Sequence, residues 1–279
     1  MCIITDFCCI MKHEKRTDIF KKNMQGEQML RVTFIHHSAF VVETDTKQMV
    51  FDYFPAGTYN DVVFHGKEPV FSAEKPVYVF ASHSHRDHFS LEVLKWGEKR
   101  PDVRYIFSKD IRLGKNYLAR NGFDPAIRER IKFIGAMADY ETGDLKVHTL
   151  LSNDAGVAFV VETDGLRIYH AGDLSVWNVG ENGQEVYRDI YTGGYKKQIR
   201  HLENKHIDIG FVVLDPRMGA GAYAGIDYFA ETVDCDLIFP MHCWEDYSII
   251  EKCKRRPQMA RFKDKIVDID RDNIIYDID

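Results

Sequence analysis

Four side chains able to ligate a cation, His83, His85, Asp87 and His88, fall within six residues of the run Ser82-His83-Ser84-His85-Arg86-Asp87-His88-Phe89. The apolar run Val77 to Ala81 stands directly before them and reads as a buried strand. Two histidines two apart on extended backbone point to one side and can reach one cation. Asp87 and His88, where the chain turns away, can address a second position nearby. Imidazole and carboxylate together suit zinc, and also manganese or iron. The bland alternative is an accidental surface cluster, the weaker reading because so many ligand types coincide at one strand end.

A site of this kind collects residues from several strand ends, which adds Asp173 in His170-Ala171-Gly172-Asp173 and His242 in Phe239-Pro240-Met241-His242. An aspartate after glycine can also be a plain turn residue, and a histidine after a strand can be an ordinary hydrogen-bonded group. His37 is a candidate substrate contact that could face the same region or equally be buried within a strand. His148 and His170 lie inside apparent strands, where alternation can turn them to core or solvent, so both read as structural. Arg217 is a candidate anion contact and equally a candidate salt bridge.

The elements that must carry these residues alternate between strand and helix, which indicates an α/β fold. Arg31 to His36, Ala39 to Thr44 and Gln48 to Tyr53 form an antiparallel meander, followed by the strand Pro76 to Ala81. Ser90 caps an expected helix from Leu91 to Lys99, and Ser108 to Arg120 reads as a helix stopped by Asn121-Gly122. Strands follow at Val103 to Phe107, Ile131 to Ile134 and Lys146 to Leu151. A hairpin, Val157 to Thr163 and Leu166 to His170, turns at Asp164-Gly165. Gln184 to Asn204 is polar, with a break at Gly193-Gly194, and reads as a helical lid too poor in apolar residues for the core. Ile207 to Leu214, Leu237 to Pro240, Lys265 to Ile269 and Asn273 to Ile278 read as strands, and Ile226 to Val233 and Tyr247 to Lys254 as helices. The segment Ala39-Phe40-Val41-Val42-Glu43-Thr44-Asp45 recurs unchanged as Ala158 to Asp164. Each copy opens a hairpin that leads to an aspartate, Asp52 or Asp173, which suggests two similar halves packed together.

A chain of 279 residues, 45% of them hydrophobic, suits one large α/β domain. The net charge of -6 offers no general attraction for nucleic acid, which is disfavoured as a partner. Six cysteines without zinc-ribbon spacing read as reduced thiols of a soluble, cytoplasmic protein, and no run has the length of a membrane span. Residues 1–28 carry no motif and are expected to be a peripheral extension, with Met24 or Met29 the functional start and residues 29–279 the domain proper.

The His83-x-His85-x-Asp87-His88 pattern after a strand resembles the signature of the metallo-β-lactamase superfamily, and the resemblance runs from about Met29 to the C-terminus. Within it the chain looks most like the ascorbate-6-phosphate-lactonase-like branch and related metal-dependent hydrolases. The resemblance implies a four-layer αββα sandwich with the site at one end of the packed sheets. It makes Asp173 an aspartate shared by two metals, His242 the last histidine ligand, and Asp52 a carboxylate that supports the histidine loop. The chain departs from the pattern at Leu151 to Gly156, where Ser152 stands in place of a further histidine and Asp154 is the candidate replacement. The first metal is then left with His83, His85 and Asp173, the second with Asp87, His88, Asp173 and His242, and the second is expected to bind more tightly.

The implied function is hydrolysis of a small ester, lactone or amide. A water shared by two cations roughly 3.5 to 4 Å apart, oriented by Asp87, would attack the carbonyl. A phosphodiesterase or nuclease, and a non-catalytic metal-binding protein, are the rival readings.

Overall fold

The computed structural model describes residues 29–177 and 193–278; the proposed extension 1–28 and the first part of the expected lid lie outside the described residues. In chain order the elements are β1 (Leu30–His36), β2 (Ala39–Glu43), β3 (Gln48–Phe51), β4 (Gly57–Tyr59), β5 (Val62–Phe64), β6 (Val77–Ala81), α1 (Leu94–Lys99), β7 (Arg104–Ser108), α2 (Lys115–Arg120), β8 (Ile131–Ile134), β9 (Asp139–Thr142), β10 (Leu145–Leu151), β11 (Val157–Thr163), β12 (Leu166–His170), α3 (Gly193–Ile199), β13 (His206–Val213), α4 (Ala224–Thr232), β14 (Asp234–Met241), α5 (Ser248–Lys254) and β15 (Ile274–Ile278). One sheet has the order β15-β1-β2-β3-β6-β7-β8 and the other β14-β13-β12-β11-β10-β9; β4 and β5 form a separate hairpin.

Strand alternation builds the layers. In β2, Phe40 and Val42 enter the core between the sheets while Ala39 and Val41 join the outer core. The same split sends Phe80 of β6 and Ile106 of β7 inward, and Val79, Tyr105 and Phe107 outward against Leu94, Trp96 and Leu118 of α1 and α2. Across the gap, Phe40 meets Phe211 at 4.2 Å and Phe80 meets Phe159 at 5.3 Å. On the far side of the second sheet, Phe229 of α4 stacks on Tyr169 at 5.2 Å. Helix, sheet, sheet and helix thus form the αββα sandwich.

The repeated heptapeptide occupies β2 and β11 and the residues just beyond them, one copy in each sheet. The likeness extends to the pairing. β1, β2, β3, β6 and β7 join as antiparallel, antiparallel, parallel, parallel, and β10, β11, β12, β13 and β14 join in the same sequence. The two copies meet at their turns. Thr44 and Thr46 donate to Asp164, and the buried Lys47 ammonium reaches Asp144, Asp164 and the Thr163 hydroxyl at 2.7 to 2.9 Å.

Several expectations need correction. The helix placed over Ser108 to Arg120 begins only at Lys115, because Ile111 turns back to the Ser108 carbonyl and Asp110 accepts from the Ser84 amide in the histidine loop. Lys265 to Ile269 contributes a single bridge, Ile266 to Ile238, rather than a strand. Residues 193–204 are no lid. Tyr195, Ile199 and Leu202, spaced four and three apart, are fully buried in the main core, so periodicity outweighs the segment's polar composition. β14 is longer than expected and takes in Pro240, which a sheet-edge strand tolerates.

Candidate metal centre

The centre forms where β1, β3, β6, β12, β13 and β14 end. Backbone strain marks the spot: His37, Asp52 and His242 all have positive φ, at 51°, 44° and 66°. Non-glycine residues are held in that region only where surrounding structure over-determines them. The His242 amide donates to the His37 carbonyl, locking two of them together. Gly172 (φ 52°) precedes Asp173, and a Cβ there would lie 2.7 Å from that of Ser82, so only glycine lets this turn close on the histidine loop.

Two groups of ligand atoms converge. His83, His85, Asp154 and Asp173 form one, and His37, Asp87, His88 and His242 form the other, entirely buried. Asp173 joins them. Its Oδ2 lies 3.3 Å from His83 Nε2, and its Oδ1 lies 3.1 Å from His88 Nε2 and 3.5 Å from His242 Nε2. Asp87 Oδ2 lies 3.4 Å from His37 Nε2 and 3.9 Å from His242 Nε2. His85 Nδ1 is 2.9 Å from His83 Nε2 and 3.9 Å from Asp154 Oδ2.

The far nitrogens are held by fixed partners. His88 Nδ1 lies 2.8 Å from Asp52 Oδ2, and His242 Nδ1 lies 2.9 Å from Asp215 Oδ2. The Ser82 hydroxyl donates to Asp52 at 2.6 Å and stands 2.9 Å from His83 Nδ1. In each case the carboxylate or hydroxyl fixes the tautomer that leaves Nε2 free for a cation. Both ring nitrogens of His37, Nε2 of His88 and His242, and Asp173 Oδ1 are buried without a hydrogen-bond partner. Buried polar atoms are rarely left so, and one nitrogen each of His37, His88 and His242 converges with Asp87 in the second group, as ligands of a bound cation would.

Electrostatics agree. Burial alone would raise the Asp173 carboxyl, but His88 and His242 hold it well below the usual range. Burial likewise opposes a charge on His88, yet Asp173 and Asp52 raise it well above an ordinary imidazole, so these carboxylates draw a positive charge to His88, a proton that a bound cation would displace from Nε2. At His37 the Asp87 carboxylate does not offset burial, which, reinforced by His242, lowers it to about 3, so it is a neutral imidazole with one nitrogen lone pair to offer. A further group, His206, Asp208 and Asp236, lies elsewhere and differs in kind, since both His206 ring nitrogens are engaged at 2.9 and 3.0 Å by Asp234 and Asp236.

The expected residues His83, His85, Asp87, His88, Asp173 and His242 come together, and Asp52 stands behind His88 and Ser82 as a support. Asp154 joins the first group, whereas Ser152 only caps the loop by accepting from the Asp154 amide. His37 enters the second group as a ligand candidate rather than a substrate contact. Arg217 pairs with Asp215 at 2.5 Å and lies 3.9 Å over the Trp244 ring, so its salt bridge supports the carboxylate behind His242. His148 pairs with Asp139 away from the centre, and His170 is buried against Phe51 and bonded to the Ser38 carbonyl. Sequence reasoning missed Asp215, Ser82 and Trp244. The position of Asp215 just past a buried strand, like Asp52 and Asp173, was the available signal.

Residues 31–242 match the family described as the Beta-lactamase superfamily domain. A UPF0173 metal-dependent hydrolase of Pyrococcus furiosus is 27% identical over 176 residues, covering 58% of this chain and 69% of that protein. One from Desulforamulus reducens is 29% identical over 162 residues, covering 53% and 64%. Among solved structures, Igni18, a metallo hydrolase from Ignicoccus hospitalis, superposes with a TM-score of 0.56 at 12% identity, covering 90% of this chain and 99% of its own. A possible metal-dependent hydrolase from Veillonella parvula gives 0.55 at 13% identity, covering 89% and 99%. With the αββα layers, the ligand-bearing strand ends and a family match spanning most of the sequence in agreement, the chain belongs to the metallo-β-lactamase superfamily.

Proposed function

We propose that this metal-dependent hydrolase holds two zinc ions and cleaves a small ester, lactone or amide with an activated water. The observation that carries this reading is Asp173, which turns one oxygen to each of the two ligand groups and so sits as a shared ligand would. Imidazole and carboxylate donors suit zinc, with manganese or iron also compatible. Bound there, two cations would acidify a water and polarise the substrate's carbonyl oxygen.

The chain's own residues do the rest. Asp87, with 9% of its side chain exposed, presents a carboxylate that orients the attacking water. Asp52, Ser82 and Asp215 keep His88, His83 and His242 in one tautomer and one orientation. Trp244 packs 4.7 Å from the His37 ring and Trp177 5.7 Å from that of His242, which keeps bulk water from the second group. The buried thiols of Cys235, Cys243 and Cys253 accord with a reducing, cytoplasmic setting. No helix among the described residues is long and apolar enough to cross a membrane.

Elemental analysis of the purified protein, with lactone, ester, phosphodiester and β-lactam substrates assayed before and after chelation, tests the proposal. Two equivalents of metal and chelator-sensitive carbonyl cleavage are expected, with metal lost from the double variant His85→Ala, His88→Ala. Stoichiometric metal retained by that variant would show the centre to be misplaced, and turnover of phosphodiesters alone would move the reading to a phosphodiesterase.

A further inference from the structure

Between the ligands His85 and Asp87 the chain carries an exposed arginine that the metal chemistry leaves unused. The Arg86 guanidinium lies 5.5 Å over the Tyr59 ring of the β4–β5 hairpin. Tyr59 stacks on Trp244 at 6.0 Å, and Trp244 in turn packs against His37 at 4.7 Å and His242 at 5.6 Å. Arg217 closes the far end of this ladder, 3.9 Å over Trp244.

The two arginines are not equivalent. Arg217 commits Nε and Nη2 to Asp215. Arg86 has no hydrogen bond or ion pair with any described residue. The Tyr59 contact engages the guanidinium as a cation and leaves its N–H donors without a protein partner among the described residues. A guanidinium with uncommitted donors is a fork for a planar or tetrahedral oxyanion. On a chain of net charge -6, an unpaired cation at the rim of a catalytic centre is also a local attractor for anions.

We propose that Arg86 is a specificity residue, and that the substrates of this hydrolase carry an oxyanion, carboxylate or phosphate, separate from the bond that is cleaved. Its position in the chain ties it to the reaction, since its neighbours on either side are ligands, and the Tyr59–Trp244 ladder sets its direction. The inference rests on the hydrolase reading for the location of the reacting bond, but its binding step requires no turnover.

Zinc-loaded protein titrated with phenyl phosphate and, separately, with benzoate, followed by tryptophan fluorescence, tests it; the two probes distinguish a phosphate from a carboxylate preference. For the preferred anion, Arg86→Gln should weaken binding about 10-fold or more, with Arg86→Lys intermediate, zinc content unchanged, and the exposed control Arg112→Gln like the wild type. Tyr59→Leu, which keeps the cation but removes its platform, should weaken binding several-fold. With a cleaved substrate bearing that anion, Arg86→Gln should raise KM far more than it lowers kcat. Equal affinity of wild type and Arg86→Gln for both anions overturns the proposal, as does equal binding of neutral benzyl alcohol. Absence of metal-dependent turnover on any substrate, with the anion binding intact, would instead count against the hydrolase reading alone.

Discussion

Asp154 is the residue proposed to complete the first ligand group, where Ser152 stands in place of a further histidine. It enters the first ligand group from the loop between β10 and β11, with its side chain 45% exposed, whereas every member of the second group is buried. An exposed carboxylate that competes with water makes a weaker ligand than a buried, pre-oriented imidazole. The first metal should therefore leave first on dialysis against a chelator, and Asp154→Ala should lower stoichiometry by about one equivalent while the second metal stays. Ser152→His should not raise occupancy, since Ser152 is engaged in capping its own loop. Elemental analysis of both variants decides the point: unchanged metal in Asp154→Ala with a gain in Ser152→His would make Asp154 a simple loop residue.

At the scale of elements, the two sheets are clasped where the repeated segments end. Lys47 is 2% exposed, and its ammonium is shared among Asp144, Asp164 and Thr163 of the opposite sheet. Lys47→Met removes the ammonium that lies 2.9 Å from Asp164, whose side chain is only 9% exposed, and losing the cation of a buried ion pair is strongly destabilising. Lys47→Met should accordingly cost about 3 kcal/mol, read as a lower midpoint in urea unfolding of metal-loaded protein. An unchanged midpoint would mean that the two halves are held by their apolar faces alone. The clasp lies at the opposite end of β3 and β12 from Asp52 and Asp173, so metal content should survive the loss.

For the whole molecule, pH acts through the loop that follows His242. Trp244 and Glu245 continue its left-handed conformation, with φ of 51° and 63°, and carry Glu245 against Asp272. Tyr247 lies 2.5 Å from Asp272 and 3.0 Å from Glu245, yet its hydroxyl has one proton for two carboxylates. Burial first, and Asp272 second, push the Glu245 carboxyl up to about 7. A carboxyl raised in the folded state binds its proton more tightly there than in the unfolded chain. The stability it contributes is full below the unfolded value of about 4.3 and is lost as pH rises through 7. Wild-type stability should fall relative to Glu245→Gln between pH 5 and 7.5, by on the order of 1 kcal/mol after solvent screening. Parallel urea midpoints across that range would refute the shared-proton arrangement.

The sequence by itself determined most of the strands of the two sheets, the loop carrying four candidate ligands, and the strand-end positions of Asp173 and His242, though not β9, the β4–β5 hairpin or the loss of the strand expected at Lys265 to Ile269. These follow from local spacing, because alternation and turn chemistry act over a few residues. The likeness of the two halves was equally legible, because the repeated heptapeptide opens a hairpin in each, and the two sheets share one pairing order. Tertiary structure alone decided which nitrogens are held and which are free, since Asp215 reaches His242, and Ser82 reaches Asp52, only once separate strand ends meet. It also brought His37 into the second group of candidate ligands and put Tyr195, Ile199 and Leu202 in the core rather than in a lid. Burial is a property of the packed assembly of elements, and no composition of one segment contains it.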